Sequence, residues 1–229
     1  MRFWVDPLPR PGAYEGTAIV VDVIRATTTA ALYLRAGAKA LVLAPGIEAA
    51  RTLRQEGEVL AGEVGGLPPE GFDLGNSPRE VDGVAGKTVV MATTNGTRAA
   101  HAAIGARHIL LGSLQNAQAV AEVAAGSGGE VAIVCAGKEG NMALDDLYAA
   151  GVIGRRLQAL GFTPAGEMAH LALFLAENRP LPVLAASEAA KALVAVGLGE
   201  DVGECARVDA HRVVPRFLGM RGDGMVFGL

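Results

Sequence analysis

Val89-Val90-Met91-Ala92-Thr93-Thr94-Asn95-Gly96-Thr97-Arg98-Ala99-Ala100 decides how this chain is read. An apolar run of strand length ends at Ala92. Hydroxyl, amide and glycine residues follow, and an Ala-rich helical segment then begins. A buried strand, a polar turn and a helix start in that order bring unpaired backbone N–H groups and Thr hydroxyls to one place. Arg98 adds a guanidinium fork to the same turn. Such a place suits a phosphate, sulfonate or carboxylate.

The pattern occurs twice more. Ala18 to Ile24 is an apolar run interrupted by Asp22; it leads into Arg25-Ala26-Thr27-Thr28-Thr29 and a helical stretch from Ala30. Val131 to Ala136 leads into Gly137-Lys138-Glu139-Gly140-Asn141, after which Leu144-Asp145-Asp146-Leu147 opens a helix. If the three strands are parallel neighbours, their polar ends converge on one sheet edge, where open α/β sheets hold ligands. Further strands are expected at Ala40–Leu43, Val59–Gly62 and Ile109–Leu111, and near Val213–Pro215 and Met225–Phe227. Helices are expected up to about Gln55 and over Ala117–Ala125, Ala165–Glu177 and Ser187–Val196. Residues 1–16, rich in Pro and Gly, read as a strand-edge arm or loop. The alternation predicts an α/β fold, with a largely parallel or mixed central sheet flanked by helices on both faces. Residues 1–229 read as one domain, with room for a smaller C-terminal lobe from about residue 162.

Composition narrows the function. The 229 residues carry a formal net charge of −4, no basic run and only 4% aromatics, which disfavours nucleic-acid binding through a basic stripe with stacking platforms. Small anions must then be met by local charge. Only four of the twenty basic residues are Lys. No uncharged apolar stretch of about 18 residues suggests a membrane span, and residues 1–7 lack the apolar core of a signal peptide, so a cytoplasmic location is expected. Cys135 and Cys205 are far apart and outside any C-x-x-C; they read as a free pair in a reducing compartment. Ala-rich helices and an apolar tail suggest a homodimer.

Asp22 is costly to bury in an apolar strand run unless it is paired or binds a metal. Its alternatives are an ion pair with Arg25 or another Arg, and a site role. Asp146 shares a helix stripe with Ala149, Ala150, Ile153 and Leu157 and is expected to point inward. Asp145 falls on a more mixed face and can instead cap the helix. Glu63 opens a long loop, residues 63–78, which Phe72 and Leu74 are expected to anchor on the core. Gly65 and Gly66 let backbone approach a ligand closely there, while Asn76 and Ser77 are either turn formers or ligand contacts. Several carboxylates, hydroxyls and Arg at one edge point to a hard divalent cation with a phosphorylated ligand, since Mg²⁺ takes one or two carboxylates, water and phosphate oxygens. Familiar phosphate motifs fail. Gly86-Lys87-Thr88 lacks the first P-loop glycine, because residue 81 is Val, and a strand follows it. Asp22 lacks a second Asp at residue 24, which is Ile, and Cys135 is followed six residues on by Asn141, not Arg.

Taken together, the chain resembles the 2-phosphosulfolactate phosphatase family. The resemblance rests on Val21–Thr29, Gly62–Gly66, Gly71–Pro78 and Thr93–Arg98, continues through Gly112-Ser113, Cys135–Gly137 and Asp145-Asp146, and extends to Asp201-Val202, Cys205 and Val214-Pro215. It implies a non-standard α/β topology and Mg²⁺-dependent removal of phosphate from 2-phosphosulfolactate, on the route to coenzyme M. It also implies that Asp22, Glu63 and Asp146 hold the metal, and that Arg25, Thr28, Asn95, Thr97 and Arg98 hold phosphate or sulfonate. Asp22, Arg25 and Arg98 are the expected catalytic residues. Thr27, Thr28, Gly65, Gly66, Asn76, Thr94, Asn95, Gly96 and Thr97 are the expected substrate contacts. Asp145 stands where the family pattern leads us to expect Glu. The rival readings are another phosphomonoester or phosphoryl-transfer enzyme on this scaffold, and a non-catalytic anion-binding protein.

Overall fold

A computed structural model describes residues 1–229 as ten strands and nine α-helices. The strands are β1 Arg2–Asp6, β2 Thr17–Val21, β3 Ala40–Ala44, β4 Val59–Gly62, β5 Thr88–Ala92, β6 His108–Gly112, β7 Val131–Cys135, β8 Thr163–Pro164, β9 Arg216–Arg221 and β10 Gly224–Gly228. The helices are α1 Ala26–Arg35, α2 Ile47–Leu53, α3 Asn95–Ala102, α4 Ala117–Gly126, α5 Leu144–Ala159, α6 Glu167–Leu175, α7 Pro180–Ala186, α8 Glu188–Ala195 and α9 Glu200–Cys205. No helix is long and apolar enough to cross a membrane.

All ten strands form one mixed sheet in the order β4-β5-β3-β10-β9-β6-β2-β7-β1-β8. Two parallel groups, β4-β5-β3 and β6-β2-β7-β1-β8, are joined by the C-terminal hairpin β9-β10, which pairs antiparallel to β3 on one side and to β6 on the other. This corrects the sequence reading in two places. The N-terminal arm contains a strand, β1, inserted between β7 and β8. The three strands that end in polar turns are also not all neighbours: β2 pairs with β7, but β3, β10, β9 and β6 lie between β5 and β2. Val213–Pro215 is not a strand; the first arm of the hairpin starts one residue later, at Arg216.

Three successive antiparallel joints separate β3 from β6, so along the ladder the two parallel groups point in opposite directions. In a flat sheet their carboxyl ends would lie on opposite edges. The sheet instead bends around α1 and α3. The period-2 alternation of strand side chains shows this directly. Ala18 and Val20 of β2, Leu41 and Leu43 of β3, Val89 and Met91 of β5, and Ile109 and Leu111 of β6 share one cluster with Ala30 and Tyr33 of α1 and Ala99 and Ala100 of α3. The intervening residues face outward into two separate clusters. Ile19, Val21, Leu110 and Ile133 pack under α4 and α5, and Val42, Val90 and Leu60 pack with Ala50 of α2. Strands buried on both faces explain why these segments read as continuous apolar runs and not as alternating ones. The bend is what lets the ends of β2, β4, β5 and β7 open into one cavity.

Close helix contact completes the outer layer. In α5, a Cβ at Gly151 would stand 1.9 Å from the Ala172 carbonyl of α6, so only Gly allows the two helices to pack at this distance. Both cysteines are buried and free, as the sequence reading expected.

Candidate active site

A cavity of about 420 Å³ lies where these strand ends meet. Its wall includes Asp22, Arg25, Glu63, Gly65, Gly66, Asn76, Thr94, Asn95 and Asp146 from the expected set, together with Ile24, Lys138, Glu139 and Asp145 and the α8 residues Ala189, Ala192 and Leu193. The segments around residues 22, 63, 76, 94 and 146 therefore do come together, although β5 is remote from β2 in the sheet.

The cavity has an acidic floor. Asp145 and Asp146 are both buried, at 2% exposure. Asp146 accepts the Val23 N–H on Oδ1 at 2.9 Å and the Gly137 N–H on Oδ2 at 3.0 Å, so it staples the turns after β2 and β7 together. Gly137 is required in that staple: its φ is +66°, and a Cβ would fall 2.5 Å from the Asn141 carbonyl oxygen. Asp145 is different. Its Oδ1 is buried with no hydrogen-bond partner. The sequence placed Asp145 on the mixed face, but it is as deeply buried as Asp146, because the turn after β2 at Ile24 and the Ser187 hydroxyl at the N-cap of α8 close over it.

Asp22 sits at the start of two helices. Its Oδ1 accepts weakly from Ala26 N–H of α1, at 3.4 Å. Its Oδ2 is so close to α3 that a Cβ at Gly96 would approach it to 2.9 Å. Gly96 thus lets the helix that follows the TTNGT turn reach Asp22. Asp22 makes no ion pair: Arg25, its suspected partner, pairs instead with Asp201.

Removal from bulk water, then the charge of Asp145, push the Asp22 carboxyl up to about 7, against the helix N–H groups of Ala26 and Gly96. Burial raises Asp145 to about 6, partly offset by backbone N–H groups, the Lys138 ammonium and the Ser187 hydroxyl. Burial and the charges of Asp145 and Asp22 hold Asp146 well above the usual carboxylate range. Carboxylates placed together with so little compensating positive charge form a site that favours a cation.

The expected metal set needs correction in its geometry. No three Asp, Glu, His or Cys side chains stand close enough together to hold a metal ion by themselves. Asp146 spends an oxygen on each of two backbone N–H groups, and Glu63 Oε2 accepts the Gly66 N–H at 2.6 Å. Asp22, whose geometric N–H contact is a weak one at 3.4 Å, and Asp145, with its unpartnered oxygen, are the least committed of the four. Two carboxylates completed by water and ligand oxygens suit Mg²⁺, which is seldom held by an all-protein cage.

Above the floor are groups suited to an oxyanion. Thr94 and Asn95 open α3 at the cavity wall. Asn76 is 4% exposed, and its Oδ1 also lacks a partner; an amide flip would present the NH₂ at the same point. Gly65 and Gly66, both with positive φ, bring bare backbone to the opposite lip.

Arg25 holds that lip in place. Its Nη1 donates to Asp201 Oδ2 at 2.6 Å and its Nη2 donates to the Gly66 carbonyl at 2.8 Å. Asp201 Oδ1 accepts the Ser77 hydroxyl at 2.8 Å. This buried chain ties α9 to both ends of the long loop. Phe72 and Leu74 pack that loop on the core, as expected.

Five expected contacts lie off the cavity wall. The hydroxyl of Thr27 donates to the Gly112 carbonyl at 2.7 Å, that of Thr28 to the Val23 carbonyl at 2.8 Å, and that of Thr97 to the Ala44 carbonyl at 3.2 Å. These hydroxyls fasten helix starts to strand ends; in the first turn of a helix, a buried carbonyl within reach outcompetes a ligand. Gly96 acts through Asp22, as above. Arg98 lies beside the site, at a second cavity with Leu8, Pro9 and His101: its Nη2 donates to Asn95 Oδ1 at 3.3 Å and to the Ala136 carbonyl at 3.5 Å. Asp201 entered the sequence reading only as part of the family resemblance and α8 only as a helix, with no place at the site for either: α9 has six residues, too few for a periodic signal. Lys138 was visible only as part of the third polar turn.

Comparison with known proteins identifies a family. A family profile described as 2-phosphosulpholactate phosphatase matches residues 5–219. A probable 2-phosphosulfolactate phosphatase of Thermus thermophilus is 51% identical, over 99% of this chain and 99% of the relative. A protein of the same description from Deinococcus radiodurans is 48% identical, over 94% of this chain and 92% of the relative. Another, from Carboxydothermus hydrogenoformans, is 36% identical over 89% and 87%.

Proposed function

The chain belongs to the 2-phosphosulpholactate phosphatase family and is a phosphatase; we propose that its substrate is 2-phosphosulfolactate, cleaved to sulfolactate and inorganic phosphate with Mg²⁺ as cofactor. The observation that carries this reading is the pair Asp22 and Asp145, carboxylates at the floor of one cavity, the second with a buried oxygen that nothing in the chain satisfies.

Asp22 and Asp145 would hold the cation, with Glu63 close enough to raise the Asp22 carboxyl through its charge. When bound, Mg²⁺ neutralises the phosphoryl oxygens and draws electrons from phosphorus. The N–H groups at the start of α3 and the Asn76 amide orient the phosphoryl group and meet charge that develops on its oxygens. Asp22, open in part to the cavity, takes a proton as water oxygen bonds to phosphorus. The phosphorus–ester oxygen bond breaks, Asp22 passes the proton it took from water to the departing ester oxygen, and the hydroxy acid leaves with Asp22 ionised again. Asp146 positions both turns and does not touch the reacting atoms. Arg25 positions the Gly65-Gly66 lip.

Phosphate release from 2-phosphosulfolactate, with Mg²⁺ and with a chelator, tests this. Turnover lost on chelation and restored by Mg²⁺ supports it. Full turnover in chelator removes the cofactor, and the absence of any phosphate release from this ester removes the substrate.

A further inference from the structure

We infer that Lys138 is the residue that selects substrates bearing a second acid group: its ammonium holds the non-reacting sulfonate or carboxylate while the phosphoryl group sits over the acidic floor. This deepens the substrate reading above and rests on it for the choice of ester, but its test does not.

Two cationic side chains line the cavity, Arg25 and Lys138. Arg25 is 4% exposed and committed to Asp201 and the Gly66 carbonyl. It has no charge to spare for a ligand. Lys138 makes no ion pair and no side-chain hydrogen bond; it is absent from the twelve salt bridges of the chain, whereas Lys191 is engaged with Glu188. Lys138 is half-buried at the cavity wall, and its ammonium can meet a ligand there without first giving up a partner.

The backbone fixes where Lys138 stands. Its N–H donates to the Asn141 carbonyl at 2.9 Å and its carbonyl accepts the Asn141 N–H at 2.9 Å, closing a tight turn. Glu139 and Gly140 complete the turn at φ of 52° and 81°. Gly137, just before it, is clamped by Asp146. The ammonium's charge is felt at Asp145 on one side and at Glu188, the first residue of α8, on the other. Lys138 stands on the turn after β7 and shares the cavity wall with Asp145 of α5 and Ala189 and Ala192 of α8, whereas Thr94 and Asn95 come from the separate turn after β5.

The charge layout follows from this. The floor is acidic and takes a cation with the phosphoryl group. The rim carries one uncommitted positive charge, and a phosphorylated hydroxy acid carries one or two further acid groups close to its ester. A cavity of about 420 Å³ brings such a group within reach of a Lys when the phosphate is seated. Lys, as a point charge with rotatable donors, accepts either sulfonate or carboxylate.

The test uses the full-length protein with Mg²⁺ and three esters: 2-phosphosulfolactate, 2-phospholactate and isopropyl phosphate, the last lacking a second acid. Lys138→Met keeps the stem and removes the charge. At about pH 8, where Asp145 is ionised with or without the Lys138 charge, the expected result is a KM raised about 10- to 100-fold for the two acid-bearing esters, with kcat/KM for isopropyl phosphate within about twofold. Lys138→Arg restores most of the loss. Equal loss on all three esters places Lys138 on the phosphoryl group and overturns the inference, as does no loss on any. Direct titration of sulfolactate into each protein needs no turnover: weaker binding by Lys138→Met supports the inference, and equal binding refutes it. If the wild type cleaves 2-phospholactate but not 2-phosphosulfolactate, the substrate reading fails while Lys138 is still judged by its variants. An unchanged unfolding midpoint confirms that Lys138→Met is folded.

Discussion

Replacing Asp22 by Asn should stabilise the metal-free protein while abolishing its activity. The carboxyl is raised from 3.8 to about 7 by burial and by Asp145. The folded chain therefore holds a proton there that the unfolded chain has released, throughout the window from about pH 4 to about pH 7. Because the folded state binds more protons in that window, its stability falls as pH rises through it and is level above. About three units at 1.36 kcal/mol each sets a ceiling of roughly 4 kcal/mol. Water entering the cavity screens part of this, leaving about 1–2 kcal/mol. The Asn carbonyl can accept from one of the two helix N–H groups, Ala26 or Gly96, so one weak contact is lost in exchange. For a chain of this size the gain corresponds to a midpoint higher by about 2–8 °C. Thermal unfolding in chelator at about pH 8 reads it directly. The advantage should fall to less than half at about pH 5 and vanish below about pH 4, where wild-type Asp22 is protonated in both states. Added Mg²⁺ should raise the wild-type midpoint and leave the variant's unchanged, and the variant's phosphate release should drop by about 10³-fold or more. A variant less stable than wild type at about pH 8, or a gain that does not depend on pH, would falsify the electrostatic account of this site.

Asp201→Asn breaks the buried pair with Arg25 and leaves a cation uncompensated; a loss of about 3–5 kcal/mol in denaturant unfolding is expected. Ser77→Ala, at the other oxygen of Asp201, should cost about 1–2 kcal/mol by the same measurement. Gly151→Ala pits a helix-propensity gain of about 1 kcal/mol against a methyl group 1.9 Å from the Ala172 carbonyl. Backbone on both sides cannot yield cheaply, so a net loss of at least about 2 kcal/mol should appear as a lowered midpoint; a rise would show that α5 and α6 separate easily. Arg98→Ala should reduce kcat/KM by less than about tenfold, because Arg98 is off the cavity wall and reaches the site only through Asn95 Oδ1; a loss as large as that of Asp22→Asn would mean that Arg98 meets the substrate itself. Thr97→Val should lower stability by about 1 kcal/mol through the unpaired Ala44 carbonyl, with KM little changed.

The local chemistry of the site was legible in the chain. Three apolar runs stopping at polar turns gave the strand ends, the helix starts and the residues Asp22, Thr94, Asn95 and Asp146, because a fully buried strand must be apolar throughout and must end where its backbone can be satisfied. The glycines of the 63–78 loop marked the lip for the same reason. What periodicity could not supply was the path of the sheet. The C-terminal hairpin wedges between two parallel groups and the sheet bends around α1 and α3, an arrangement set by contacts between residues more than a hundred positions apart. That path alone buries Asp145, gives Arg25 to Asp201 instead of Asp22, leaves Lys138 without a partner at the cavity wall and sets Arg98 behind Asn95. A sequence states which residues favour a strand end or a helix start; which of them share a cavity depends on long-range packing, where the energy of burial, and not local preference, chooses the neighbours.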